Sequence, residues 1–238
     1  MKAPSLEEDT VSAVSRKLIP GPILLLGAPG VGKGTQAQEL AKVWKIPQIS
    51  TGDILRGNVA RGTEVGKLAK EIMGRGELVP DDLVNRMVAA RLAEPDTSEG
   101  YILDGFPRTL GQAEWLDKHL AEENSPLPVV AVSIRVGYNQ LLRRITGRRT
   151  CLACQHIYNV YTQPPKSAMV CDVDGTPLVQ RADDTESVFE ERRRTYESQT
   201  TPVIEHYHSL GRFAEVDGEQ AVDQVAAGIL AAAERLRS

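Results

Sequence analysis

Residues 27–35 read Gly-Ala-Pro-Gly-Val-Gly-Lys-Gly-Thr, and this run carries the most specific chemistry in the chain. Glycines at positions 27, 30, 32 and 34 permit positive φ and let successive backbone N–H groups converge on one anion. A helix starting near Lys33 adds its positive N-terminal end at the same place. Gly30, Val31, Gly32, Lys33, Gly34 and Thr35 are therefore candidates to hold a nucleotide's phosphates, with Lys33 reaching the β and γ groups. Where a hydroxyl residue usually follows the lysine stands Gly34, with Thr35 one place later. A magnesium ion there must depend on nucleotide oxygens, water and carboxylates such as Asp53 and Asp104. This departure points away from a GTPase or motor ATPase and towards a small-molecule kinase.

Two further motifs place guanidinium groups where strands are expected to end. Thr51, Gly52, Asp53 and Arg56 follow one short strand; Asp104 to Arg108 follow another. Arginine can bind a phosphate through two parallel N–H bonds, which lysine cannot reproduce. A single such arginine reads as an ordinary solvated residue. Two of them in glycine-containing motifs at the mouth of an open α/β sheet point to phosphate binding.

A third constellation is Cys151-x2-Cys154 followed, after sixteen residues, by Cys171-x2-Asp174. Two paired-ligand turns at this separation have the spacing of a closed structural zinc site, since thiolates are soft ligands and a carboxylate oxygen can complete a tetrahedron. On composition alone His156 and Asp172 rival Asp174 as the fourth ligand. Arginines surround this segment. Arg144 and Arg148 are expected on the helix entering it, Arg181 and Arg192 at and beyond its exit, with Asp183 and Asp184 available to orient them.

These groups need a scaffold. Ile23 to Leu26 is a short continuous apolar run of the kind a strand buried on both faces shows. Further strands are expected at Tyr101 to Leu103, Val129 to Ile134 and Arg212 to Val216, with helices reaching about Trp44 and over Asp81 to Ala93 and Gln220 to Leu236. Alternation of this kind implies right-handed βαβ units and a parallel sheet covered on both faces. The expected fold class is α/β, a P-loop doubly wound parallel sheet carrying two insertions. Its core comprises 21–49, 80–146 and 185–238; the insertions are 50–79, which is helical, and 147–184, which is turn-rich and holds the cysteines. Residues 1–20 read as an appendage, with a short helix over 6–17 suggested by the capping-box spacing of Ser5 and Glu8.

Composition narrows the function classes. The 238 residues are 25% charged and 41% hydrophobic, ordinary for a folded soluble protein. A net charge of −4 and only 5% aromatic residues argue against a nucleic-acid binder built on a basic surface or stacking platforms. No apolar run approaches the ~20 residues of a membrane helix, and Glu7, Glu8 and Asp9 do not suit a signal or transit peptide. Only three cysteines occur, all between 151 and 171, so a disulfide framework is a poor explanation. A cytoplasmic monomer, without nucleic-acid or membrane partners, is the expectation.

The stretch Gly27 to Gln38, together with Pro-Gln-Ile-Ser-Thr-Gly-Asp-Ile-Leu-Arg at 47–56 and Tyr-Ile-Leu-Asp-Gly-Phe-Pro-Arg-Thr at 101–109, resembles the adenylate kinases of the nucleoside monophosphate kinase family. The resemblance runs from about residue 22 to the C-terminus. It implies reversible phosphoryl transfer between ATP and AMP to give two ADP, with Mg2+ accompanying ATP and Asp53 and Asp104 near it. It implies an AMP site of Thr51, Arg56, Glu77, Leu78, Val79, Gly105, Phe106, Pro107, Arg108 and Gln112, with Gln112 reading the adenine edge. It further implies that Arg148 contacts ATP beside Arg144, that Arg181 and Arg192 reach AMP and the transferring group, and that Ile157, Tyr158 and Gln220 hold the ATP base and sugar. Catalysis would rest on Lys33, Arg108, Arg148, Arg181 and Arg192. Long-lid members of the family carry a Cys, Cys, Cys, Cys-or-Asp zinc site, which selects Asp174 beside Cys151, Cys154 and Cys171. Arg193 departs from the leucine common at that place. Related kinases for UMP, CMP or GMP, and a zinc-ribbon nucleic-acid binder, are the rival readings; Thr51 favours adenine over the pyrimidine enzymes.

Overall fold

A computed structural model describes residues 21–123 and 127–237. The helix expected over 6–17 lies outside the described residues.

The central sheet has five parallel strands: β1 (Pro22–Leu26), β2 (Gln48–Ser50), β3 (Tyr101–Asp104), β4 (Val130–Arg135) and β8 (Phe213–Asp217), in the order β2-β3-β1-β4-β8. All four strand pairs are parallel, with β1 in register against β3 through Leu24↔Leu103 and against β4 through Leu24↔Ala131. Burial on both faces explains why these strands read as unbroken apolar runs. Ile23 and Leu25 point into one core layer and Leu24 and Leu26 into the other, following the two-residue alternation of a strand.

The first layer packs α1 (Lys33–Trp44), α6 (Tyr138–Gly147) and α9 (Val222–Arg237) on the sheet through Leu40, Ile145 and Ile229. The second packs α5 (Leu110–Glu122), α8 (Thr201–Ser209) and α4 (Asp81–Leu92) through Leu116, Tyr207 and Val88. A 3-10 turn, Pro95–Thr97, precedes β3. The strand expectations are met with shifts of one residue: β4 starts at Val130 rather than Val129, and β8 at Phe213 rather than Arg212.

Residues 50–79 carry α2 (Thr51–Ala60) and α3 (Glu64–Gly74), each opened by a side-chain cap: Ser50 accepts the Asp53 N–H, and Thr63 accepts the Gly66 N–H at 3.0 Å. The two helices approach so closely that a Cβ on Gly66 would lie 2.1 Å from the Asn58 carbonyl oxygen. Backbone cannot yield there as a flexible side chain could. Gly66→Ala is expected to cost about 1–3 kcal/mol by forcing the helices apart, read as a fall in thermal midpoint; an unchanged midpoint would show that the pair can separate freely.

Residues 148–179 form a separate three-stranded antiparallel sheet, with β5 (Arg148–Cys151) between β6 (Ile157–Asn159) and β7 (Leu178–Val179). Its own buried cluster is Cys151, Tyr158, Cys171 and Leu178. Beyond it, α7 (Glu186–Thr195) continues through a π-helical turn, Tyr196–Thr200, into α8.

Candidate active site

The site lies outside the carboxyl ends of β1, β2 and β3, where an open parallel sheet leaves its crevice. β1 delivers the phosphate loop. Gly27 takes φ +131°, and a Cβ on it would meet the Ile134 carbonyl oxygen at 2.5 Å, so the loop can lie against β4 only with glycine here. Gly32, at φ 102°, forms the N-cap of α1, leaving the first N–H groups of that helix without a side-chain cap. These are donors for an anion.

Lys33 folds over this loop and donates to the Gly27 carbonyl at 2.7 Å and the Ala28 carbonyl at 3.2 Å. Desolvation lowers its pKa to about 8; Asp104 opposes the shift, and Arg108, Arg192 and Arg148 add to it. The ammonium is therefore charged below about 8 and progressively neutral above it. Affinity for inorganic tripolyphosphate is expected to weaken as pH rises through that value, and the limb should vanish in Lys33→Arg, which stays protonated. Calorimetric titration checks this, and an equal slope in both proteins would refute it.

Gly30, Val31, Gly32, Lys33, Gly34 and Thr35 line one cleft, and Arg56, Arg108, Arg144, Arg148, Arg181 and Arg192 line it with them. Asp53 and Asp104 line the cleft as well. Burial, with Arg148 contributing to both and Asp183 opposing it at Arg192, brings the Arg181 and Arg192 guanidinium pKa values down to about 10. Like charges held together out of water are stabilised by a bound polyanion, so the arrangement favours phosphate-rich ligands.

Each arginine is held. Arg144, on α6, donates to the Val31 carbonyl at 3.0 Å and the Gly218 carbonyl at 2.8 Å. Arg148 forms a fork with the fully buried Asp184, its Nε donating at 2.8 Å, and Arg192 donates to Asp183 at 3.0 Å. Asp183 thus pairs with Arg192, while Asp184 pairs with Arg148 and also lies 4.0 Å from Arg192. Arg148 is not on the helix where the sequence reading put it. It has extended backbone as the C-cap of α6 and the first residue of β5, because the chain must turn there into the small sheet.

The two carboxylates named for magnesium have different surroundings. Asp104 Oδ2 faces the loop, 3.4 Å from where a Gly34 Cβ would stand, and accepts from Gln48 at 3.3 Å. Asp53 accepts from Arg56 at 2.6 Å and pairs with Arg181 at 3.7 Å. Burial opposes its ionisation, but Arg56 and Arg181 hold its carboxyl below the usual range.

Ile157, Tyr158 and Gln220 line the same cleft, as do Val222 and Val225 of α9. The two valines went unread in the sequence because they look like ordinary core positions of an amphipathic helix. A smaller adjoining cavity is lined by Leu78, Gly105, Pro107, Tyr196 and Thr200 and shares Lys33, Arg108 and Arg192 with the cleft. Thr51 donates to the Gly105 carbonyl at 2.8 Å, tying β2's end to β3's. Phe106 and Val79 are buried, and the Phe106–Pro107 peptide is cis. Gln112, 2% exposed, spends its amide on protein: Oε1 accepts the Arg108 N–H and Nε2 donates to Asp81, both at 2.7 Å. Glu77 is exposed and paired with Arg75 at 2.8 Å; its side chain does not join either cavity shared by Lys33 and Arg108. Thr200, from the π turn, donates to the Arg108 carbonyl at 2.7 Å. A π turn leaves no periodicity in the sequence, so its part in the site was not legible.

In the small sheet, the thiols of Cys151, Cys154 and Cys171 and a carboxylate oxygen of Asp174 all lie within 4.8 Å of one another. Cys151 Sγ is 3.3 Å from Asp174 and Cys154 Sγ 3.6 Å from Cys171. Asp174 also accepts the Thr176 N–H at 2.9 Å. The rivals are engaged elsewhere: the His156 ring packs edge-on to Tyr158, and Asp172 accepts the Lys166 N–H at 3.0 Å.

No described helix is long and apolar enough to cross a membrane. The family model for adenylate kinase matches residues 25–212. The chain is 48% identical over 207 residues to the adenylate kinase of Nitrosococcus oceani, covering 87% of this chain and 95% of that relative. It is 48% identical to that of Thermodesulfovibrio yellowstonii over 213 residues, 90% of this chain and 99% of the relative. The adenylate kinase of Archaeoglobus fulgidus is 47% identical over 216 residues, 91% of this chain and 99% of the relative.

Proposed function

The chain belongs to the adenylate kinase family, and on that premise we propose that it transfers a phosphoryl group reversibly between ATP and AMP, giving two ADP. The observation that carries this reading is the meeting of two cavities at Lys33, Arg108 and Arg192. Nucleotides entering from opposite sides would bring their phosphates together there.

The donor's phosphates rest on the N–H groups of Gly30 to Thr35, with Arg144 and Arg148 alongside and its base and sugar against Ile157, Tyr158 and Gln220. The acceptor lies against Thr51, Arg56, the backbone of Glu77 to Val79, Gly105 to Arg108 and Gln112. The AMP phosphate is already an anionic nucleophile, so the reaction needs alignment and charge neutralisation rather than a strong base. Lys33, Arg108, Arg148, Arg181 and Arg192 supply that charge in a desolvated setting, where fixed cations act most strongly. Magnesium accompanying ATP would add further charge neutralisation, and Asp104, facing Gly34 and Lys33, is the carboxylate that would hold it. Asp53, engaged by two arginines, serves to hold them.

Three thiols and a carboxylate drawn to one point suit zinc. Cys151, Cys154, Cys171 and Asp174 would hold it with no open coordination position, so its chemistry there is structural. The small sheet reads as a lid whose closure keeps water from accepting the phosphoryl group.

The test is ADP formation from magnesium ATP with AMP, GMP, CMP and UMP in turn, alongside metal analysis of the purified protein. A marked preference for AMP supports the reading. Preference for another monophosphate transfers it to a related kinase, and no ADP from any acceptor overturns it.

A further inference from the structure

Asp81 opens α4 and reaches across to the α5 terminus, where its Oδ2 accepts the Thr109 hydroxyl at 2.6 Å and its Oδ1 accepts Gln112 Nε2 at 2.7 Å. Thr109 is itself the N-cap of α5, accepting the Gln112 N–H at 3.1 Å. On its other side, Gln112 Oε1 accepts the Arg108 N–H at 2.7 Å. A carboxylate only accepts and a backbone N–H only donates. The two ends of the Gln112 amide are therefore distinguished: turning it over would set Nε2 against an N–H and Oε1 against a carboxylate. Each amide end keeps one further position, an acceptor lone pair on Oε1 and an N–H on Nε2.

We propose that Asp81 is a positioning residue that fixes the polarity of the Gln112 amide and thereby selects adenine over 6-oxopurines at the acceptor site. This rests on the acceptor-site reading given above. The Watson–Crick edge of adenine presents a donor at N6 and an acceptor at N1, complementary to the acceptor and donor that Gln112 has left. Hypoxanthine and guanine present the reverse, an acceptor at O6 and a donor at N1. They would match only the overturned amide, which Asp81 opposes. A buried site that leaves a ligand's polar groups mispaired discriminates far more strongly than one that merely excludes by size. Asp81 carries no signal for this in the sequence, because an acidic residue in a helix's first turn is ordinary dipole compensation.

The experiment compares kcat and KM for AMP and IMP in the parent protein, Asp81→Asn, Asp81→Glu and Gln112→Ala. Asparagine keeps the shape but its own amide can turn, so it can meet either orientation of Gln112; the Arg108 N–H remains as the other constraint. The AMP-over-IMP ratio of kcat/KM is expected to fall about tenfold in Asp81→Asn, through a raised KM for AMP and a lowered one for IMP, with kcat for AMP nearly unchanged. Asp81→Glu, which retains a carboxylate, should recover part of the ratio. Should Asp81→Asn fail to fold, Asp81→Ser, able to donate as well as accept, carries the same expectation. If Gln112→Ala erodes the ratio but the Asp81 variants leave it intact, the proposal is overturned and the acceptor site stands. If Gln112→Ala also leaves both the ratio and the AMP KM unchanged, Gln112 does not read the base and both fail.

Discussion

Arg108→Ala is expected to lower kcat by about a hundred- to a thousandfold, on the order of 3–4 kcal/mol of transition-state stabilisation. The structure gives three reasons. Arg108 lines both cavities, so on the proposed reading its guanidinium stands where the two nucleotides' phosphates would meet. It is tied down along its length: its N–H to Gln112, its carbonyl to Thr200, and its Nε to the Gly105 carbonyl at 2.8 Å. Burial depresses its pKa, with Arg56 adding to the effect and Asp104 opposing it, so developing negative charge is met by a cation that water does not screen. Preorganised charge of this kind costs little reorganisation when the phosphoryl group moves. Arg108→Lys should recover little, because a point charge lacks the planar fork. Steady-state kinetics at saturating ATP and AMP is the check, and a fall of less than about tenfold, or ~1.4 kcal/mol, would make Arg108 peripheral.

On the proposed zinc site, chelation or Cys171→Ser is expected to unfold residues 148–179 locally while leaving the parallel sheet intact. The cluster Cys151, Tyr158, Cys171 and Leu178 is far too small to hold a segment this size by apolar burial alone. A structural zinc ion contributes on the order of 10 kcal/mol of binding energy that becomes folding energy in such a segment. Amide hydrogen exchange, with and without chelator, would then show lost protection in β5, β6 and β7 but retained protection in β1, β3 and β4. Equal protection in both conditions, together with no metal in the purified protein, would defeat the idea. Phosphate-loop affinity for tripolyphosphate should survive, since β1 and α1 pack on the other core.

Much of this was legible in the residues because the responsible signals are local. The phosphate loop announces itself through glycines whose positive φ and close approach to Ile134 only glycine tolerates. The strands read as apolar runs because both faces of the sheet are covered. Other features were hidden because they are made by tertiary contact. Nothing local distinguishes Asp183 from Asp184, yet only Asp184 forks onto Arg148, while both reach Arg192. Arg148 belongs to a strand because the small sheet pairs it with Asn159, a cross-strand pairing that overrides the helix before it. The amide of Gln112 looked free to meet a base, and its existing bonds to Arg108 and Asp81 appear only in three dimensions. Strand ends slipped by one residue at β4 and β8, as expected where pairing rather than composition decides the boundary.

Thr150 on β5 and Val179 on β7 are opposite one another, so the polypeptide departs for the small sheet and returns from it at almost the same point. Everything between them behaves as a cassette on a single stem. A spliced chain that bridged 150 to 179 with a tight reversal would ask nothing of the parallel sheet, whose strands are contributed by residues on either side. The parallel sheet and its cysteine-bearing appendage can therefore be shortened or re-engineered one at a time as folding units, with the stem as the seam, although Ile157 and Tyr158 of the appendage line the cleft.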